Sequence, residues 1–143
     1  MMLDRDGIAA LIPHRGTMCL LDAVLSSDGE GIVCRAVNHR DAGNPLRDGG
    51  VLPAVCGIEY AAQAMAVHGA INGAAGDGRG RPGMLAAARD VRLSVERLDN
   101  IDDDLIVTAR RLIAEDGRLL YEFALHAGGR ELLRGRAAVV LAA

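Results

Sequence analysis

The sequence predicts an α+β domain in which an antiparallel sheet curls round one long central helix. Three observations lead there. An apolar stretch of helical character, AVCGIEYAAQAMAVHGAING, follows Pro53; four strand-length stretches come after it; and there are too few other helices to cover both faces of a parallel sheet. At 143 residues, half of them hydrophobic, the chain suits a single domain, residues 1–143, with a core that needs no metal or disulfide.

Each element has its own signal. Residues 6–12 suit a short helix that must end before Pro13, because the residue ahead of a proline is pushed out of the helical region. Residues 18–26 are a continuous apolar run fit for a buried strand. In 31–39, Ile32, Cys34 and Ala36 alternate with Val33, Arg35 and Val37, and Asp28-Gly29 marks the turn between the two strands. Residues 40–52, dense in Gly, Asp, Asn and Pro, form a long connection that ends at Pro53, which suits the first position of a helix. That helix is apolar almost all the way round, the pattern of a helix buried on every side. The stretch 73–83, GAAGDGRGRPG, reads as a loop. Strands are then expected over 84–96, 104–114, 118–127 and 131–142, with Asp116-Gly117 and Gly128-Gly129 as hairpin turns.

Composition narrows the function. The sixteen basic residues are all Arg, scattered and outnumbered by nineteen acids, so no basic face suited to nucleic acid accumulates. No apolar run reaches the ~20 residues of a membrane span, and the acidic start MMLDRDGI lacks the pattern of a secretory signal. Cys19, Cys34 and Cys56 are odd in number, far apart and in apolar surroundings, as expected of reduced thiols in a cytoplasmic protein. No metal-ligand spacing and no phosphate-cradling glycine loop is present, so neither a metal nor another cofactor is expected.

Two segments carry a resemblance. LIPHRGTMCLLDAV at 11–24 and VLPAVCGIEYAAQAMAVHG at 51–69 resemble, in order and spacing, the two signatures of hotdog-fold 3-hydroxyacyl-(acyl carrier protein) dehydratases of fatty acid synthesis. Within that family the P-A-x-x-G-I-E-Y-x-A-Q version is most similar to a divergent branch associated with aryl-polyene-type lipid pathways. The resemblance implies a hotdog domain and a dimer with acyl sites at the subunit interface, either a homodimer or a heterodimer with another hotdog chain. It implies elimination of water from a 3-hydroxyacyl thioester held on acyl carrier protein or coenzyme A.

Carried over by position, Glu59 matches the family's catalytic acid. A carboxyl in an apolar helix environment has its neutral form favoured, as a proton donor to the departing hydroxyl requires. The resemblance further places Pro53, Ala54, Val55 and Cys56 along the substrate, with amides between Ala54 and Cys56 polarising the thioester carbonyl. At the position of the family's catalytic His, fourteen residues before the acid, stands Pro45 with Asn44 beside it, and Asn44 is expected to border the substrate too.

The base is therefore open. His39 lies at the start of the same connection and either swings into the pocket or ends a strand in solvent; Asp48 is a weaker substitute. His68, nine residues after Glu59, lies on the opposite side of the helix. His14 suits a structural role at the first helix, and His126 a solvated surface. Gln63, within ~40° of Glu59 on the helix, either assists Glu59 or satisfies a neighbouring backbone group. Cys56 is either activated at the helix start or packed. The missing His also suits a non-catalytic hotdog subunit that supports a catalytic partner, and a carboxylate on the central helix also suits thioester hydrolysis.

Overall fold

A computed structural model describes residues 2–14, 16–77 and 83–141. Two hydrogen-bonded strands, β1 (Ala23–Ser27) and β2 (Gly31–Ala36), precede the long helix α2 (Gly57–Asp77). Four more follow it: β3 (Gly83–Leu93), β4 (Leu105–Glu115), β5 (Arg118–Ala127) and β6 (Arg130–Leu141). A short α1 (Arg5–Ala9) opens the chain, with the Asp4 side chain capping it through the Gly7 amide. The six strands form one antiparallel sheet in the order β1-β2-β4-β5-β6-β3. The predicted curled antiparallel sheet and single long helix are thus present.

The alternation read from the sequence sets the two faces. Ile32, Cys34, Val107, Tyr121, Phe123, Leu125 and Leu133 turn toward α2 and are buried, while Arg110, Glu122, Arg134 and Arg136 turn outward. On the helix, Tyr60, Ala61, Ala64, Met65, Val67 and His68 meet that inner face. Gly57 permits the closest approach: a Cβ there would lie 2.5 Å from Leu133 Cδ2.

Several boundaries differ from the sequence expectation; among them, α1 stops at Ala9, short of residue 12, and β3 ends at Leu93, short of residue 96. Residues 19–21 are buried and Asp22 is half-buried, but all four lie outside the strand, which begins only at Ala23. The strand after Gly31 stops at Ala36, and the chain turns through a 3-10 segment, Asn38–Arg40. The helix runs on to Asp77 through the glycine- and alanine-rich stretch read as a loop; residues 78–82 of that stretch lie outside the described residues.

Candidate active site

A second backbone segment builds the entrance of α2. Residues 96–99 lie beside 52–54: Leu98 N–H donates to Leu52 O at 2.8 Å and Ala54 N–H donates to Glu96 O at 3.0 Å. Asp99 Oδ1 accepts from the Leu52 amide at 2.9 Å. The Arg97 guanidinium, paired with Asp99, holds that carboxyl well below the usual carboxylate range, with the Leu52 amide adding to the effect. A 3-10 turn, Ala54–Cys56, then leads into the helix.

Of the amides expected to polarise a thioester, two are already engaged. Ala54 N–H is bonded to Glu96 O, and Cys56 N–H donates to Pro53 O at 3.0 Å. Val55 N–H is the one without such a bond among the described residues, and the Val55 side chain is 51% exposed. The Cys56 thiol is half-buried, and burial first, then the nearby Glu59 charge, pushes its pKa up. It is a packed thiol and not an activated one.

Glu59 lies in the first turn of α2 and is exposed. The expectation of a carboxyl sheathed in apolar surroundings, on a helix buried all round, is corrected here for the single chain. The sheet covers α2 from one side only, so Val55, Glu59 and Ala66 form an uncovered stripe at helical spacing, with Ala62, Gly69 and Ala70 half-covered along it. Gln63 lies one turn on but faces elsewhere: its Oε1 accepts from Leu20 N–H at 2.8 Å and its Nε2 donates to Met18 O at 2.7 Å. Both ends of this buried amide tie α2 to the segment before β1, so its assistance to Glu59 is corrected to a structural tie.

The long connection is fixed by a buried polar cluster. Tyr60 Oη donates to Asn38 Oδ1 at 2.8 Å, and Asn44 Nδ2 donates to Tyr60 Oη at 3.0 Å and to Asn38 O at 2.9 Å. Asn44 Oδ1 accepts from Leu46 N–H at 2.9 Å. Asn44 is therefore buried and engaged within the chain, not open to a substrate. Burial, partly countered by Asn44, pushes the Tyr60 hydroxyl up to about 12. His39 fits neither alternative: it is fully buried, and its Nε2–H donates to Ile101 O at 3.0 Å. Burial lowers its pKa.

His68 is also buried. Nε2–H donates to Asp28 O at 2.8 Å, which fixes the tautomer, so Nδ1 accepts from Tyr121 Oη at 2.7 Å. Asp48 lies exposed in a tight turn with Val51, and His126 stands half-exposed on the outer sheet face. The structure thus brings Glu59, Val55 and Cys56 together at one rim and draws His39, Asn44, Gln63 and His68 into the interior as structural groups. Residue type alone could not show this, because the partners of Gln63 and His39 lie 43 to 62 residues away in sequence. Among the described residues no group of three or more His, Cys, Asp or Glu could hold a metal ion.

A family profile described as ApeP-like, ApeP dehydratase, matches residues 7–142. The chain belongs to this ApeP-like dehydratase family. Similar solved structures agree on the fold. The dehydratase heterocomplex ApeI:P from Xenorhabdus doucetiae matches with a TM-score of 0.85 at 24% identity, over 100% of this chain and 93% of that one. A hypothetical thioesterase from Streptococcus pneumoniae TIGR4, solved with coenzyme A, matches with a TM-score of 0.63 at 9% identity over 84% of both chains. Zebra fish thioesterase superfamily member 2 matches at 0.66 and 17% identity, over 96% of this chain and 95% of that one. No curated protein sequence matches the chain. Membership of the ApeP-like family makes this a dehydratase-like hotdog protein, and among the described residues no helix is long and apolar enough to cross a membrane.

Proposed function

We propose that the chain is one subunit of a two-subunit hotdog dehydratase that removes water from a 3-hydroxyacyl thioester to leave a trans-2-enoyl thioester. The exposed position of Glu59 carries the proposal. On a helix most of whose side chains are buried, this one carboxyl heads an open stripe of small residues, where a second subunit and an acyl chain can lie against it. A base takes the proton from carbon 2, the electron pair forms the new double bond, and Glu59 protonates the departing hydroxyl so that it leaves as water. The Val55 amide is placed to donate to the thioester carbonyl.

The imidazole comes from the partner. His39 and His68 are buried and held by Ile101 O, and by Asp28 O and Tyr121 Oη, and so are not presented beside Glu59. The ApeI:P match, a heterocomplex of dehydratase subunits, supports a second hotdog chain as that partner. The coenzyme A in the pneumococcal structure supports a thioester ligand, on coenzyme A or on acyl carrier protein.

The test uses the pure chain and its complex with a second hotdog subunit, supplied with a 3-hydroxyacyl thioester on acyl carrier protein and followed by mass spectrometry for loss of one water. Activity is expected in the complex, with Glu59→Gln lowering turnover by about 10² or more, the scale of losing a general acid. Undiminished turnover in Glu59→Gln would remove this carboxyl from the reaction, and full activity of the chain alone would place the base within it. Release of free thiol, without an enoyl product, would identify hydrolysis instead.

A further inference from the structure

The sheet face turned away from α2 carries a trough of about 860 Å3 that crosses all six strands and has no part in the chemistry proposed above. Its basic end is built by β6 and β3. Arg134 and Arg136 are two residues apart on β6 and so share the outer face. Arg134 stands directly opposite Arg92 of β3, and Arg136 opposite Arg89.

On a regular strand, residues 89 and 92 would face opposite sides. Here a bulge sets both outward, because Asp90 and Val91 together face the single residue Gly135. Asp90 takes φ 53°, in the left-handed region that Asp tolerates better than most side chains. Gly135 leaves the room: a Cβ there would lie 3.0 Å from Val91 Cγ2 and 2.9 Å from Phe123 Cζ. The backbone is therefore bent so as to gather four guanidiniums into two like-charged cross-strand pairs, an arrangement that by itself opposes folding.

The nearby carboxylates, Asp90, Glu122 and Glu131, offset it only in part. Glu131 lies 3.7 Å from Arg134. Glu122 of β5, directly opposite both Arg110 and Arg136, and Asp90 make no ion pair among the described residues, and neither do Arg89, Arg92, Arg110 and Arg136. Asp28 and Glu30 line the far end, beyond β2, where the Asp28 carboxylate accepts from the Glu30 and Gly31 amides at 2.8 and 2.9 Å.

We propose that Arg92, Arg134 and Arg136, which line the trough, together with Arg89 opposite Arg136, form a binding site for a small ligand carrying adjacent phosphate groups, of the size of a nucleoside diphosphate. Planar guanidiniums match phosphate oxygens two at a time, and a trough of this volume is in the range of small-molecule sites. A ligand with several negative charges relieves both Arg–Arg oppositions at once, which a monocarboxylate does not. The site lies across the sheet from Glu59 and is independent of the proposed reaction.

Isothermal titration of the full chain with inorganic pyrophosphate and with ADP, at low and constant ionic strength, tests it. Saturable binding of at least one anion is expected, weakening as salt rises. Arg92→Gln and Arg134→Gln, both at exposed positions, should each weaken binding by about tenfold or more. Arg92→Gln should also leave the ligand-free melting temperature unchanged or higher, because it removes a like-charge opposition. Absence of saturable binding for both anions, or equal affinity in the Arg92→Gln/Arg134→Gln double variant, overturns the proposal.

Discussion

Gln63 and His68 show what a polar side chain on a buried helix does when no ligand claims it. Gln63→Leu leaves the Leu20 amide and the Met18 carbonyl without their partner. The expected loss is about 2 kcal/mol in urea unfolding, the scale of stranding a buried polar group. A change below a few tenths would show that the tie contributes nothing. His68 and His39 set the acid limit. Burial lowers the pKa of each below 6.5, so the unfolded chain takes up protons first and stability falls as pH drops below that value. For each histidine the slope reaches at most about 1.4 kcal/mol per pH unit, until its folded-state pKa is passed. Unfolding followed from pH 8 to 5 should show this loss, and His68→Gln, less stable overall, should lose roughly half the slope. An unchanged slope would show that His68 titrates alike in both states. The backbone tie was one of two sequence readings of Gln63, and spacing alone could not choose it, because it places Gln63 near Glu59 in projection and cannot see Leu20 or Met18 arriving from before β1.

At the scale of elements, the strands after the helix were legible because one face of each is wet. Alternation in β5 and the glycine turns beside it fix its limits at Arg118–Ala127, as expected from the residues alone. Where both sides are dry, pattern misleads: residues 19–21 read as strand but are buried coil, held in part by Gln63. The helix outruns its expected end because glycine and alanine signal a break only weakly when helical hydrogen bonding continues. The entrance of α2 is the tightest joint. A Cβ on Gly57 meets Leu133 Cδ2 at 2.5 Å and Leu125 Cδ2 at 3.2 Å, both side chains fully buried. Gly57→Ala gains up to about 1 kcal/mol of helix propensity, but overpacking costs about 1–3 kcal/mol. A net loss of about 1 kcal/mol is expected in chemical denaturation, and a stabilised variant would show that Leu133 moves aside freely.

Among the described residues, two surfaces on the helix side of the sheet stay uncovered. Leu85 and Leu93 of β3 stand opposite Val139 and Leu133 and so face the helix side, yet they are 36% and 48% exposed, only partly covered by the chain's own α2. The stripe of α2 that begins at Val55 and Glu59 is equally open. The helix, apolar almost all the way round, was read as buried on every side, but sequence does not say which chain supplies the cover. A second subunit pairing along the β3 edge would extend the sheet over both surfaces and enclose Glu59 between them, while leaving the outer-face arginines free. Leu85→Lys/Leu93→Lys tests this without touching the chain's own core, since both side chains are already partly in water. Light scattering after size exclusion should find the wild-type chain in a two-subunit species, with itself or with a hotdog partner. The double variant should run as a folded monomer with an unchanged far-ultraviolet circular dichroism spectrum. A wild-type chain that stays monomeric in the presence of such a partner, or a double variant that still associates, would show that the exposed face of β3 is not where the second subunit binds.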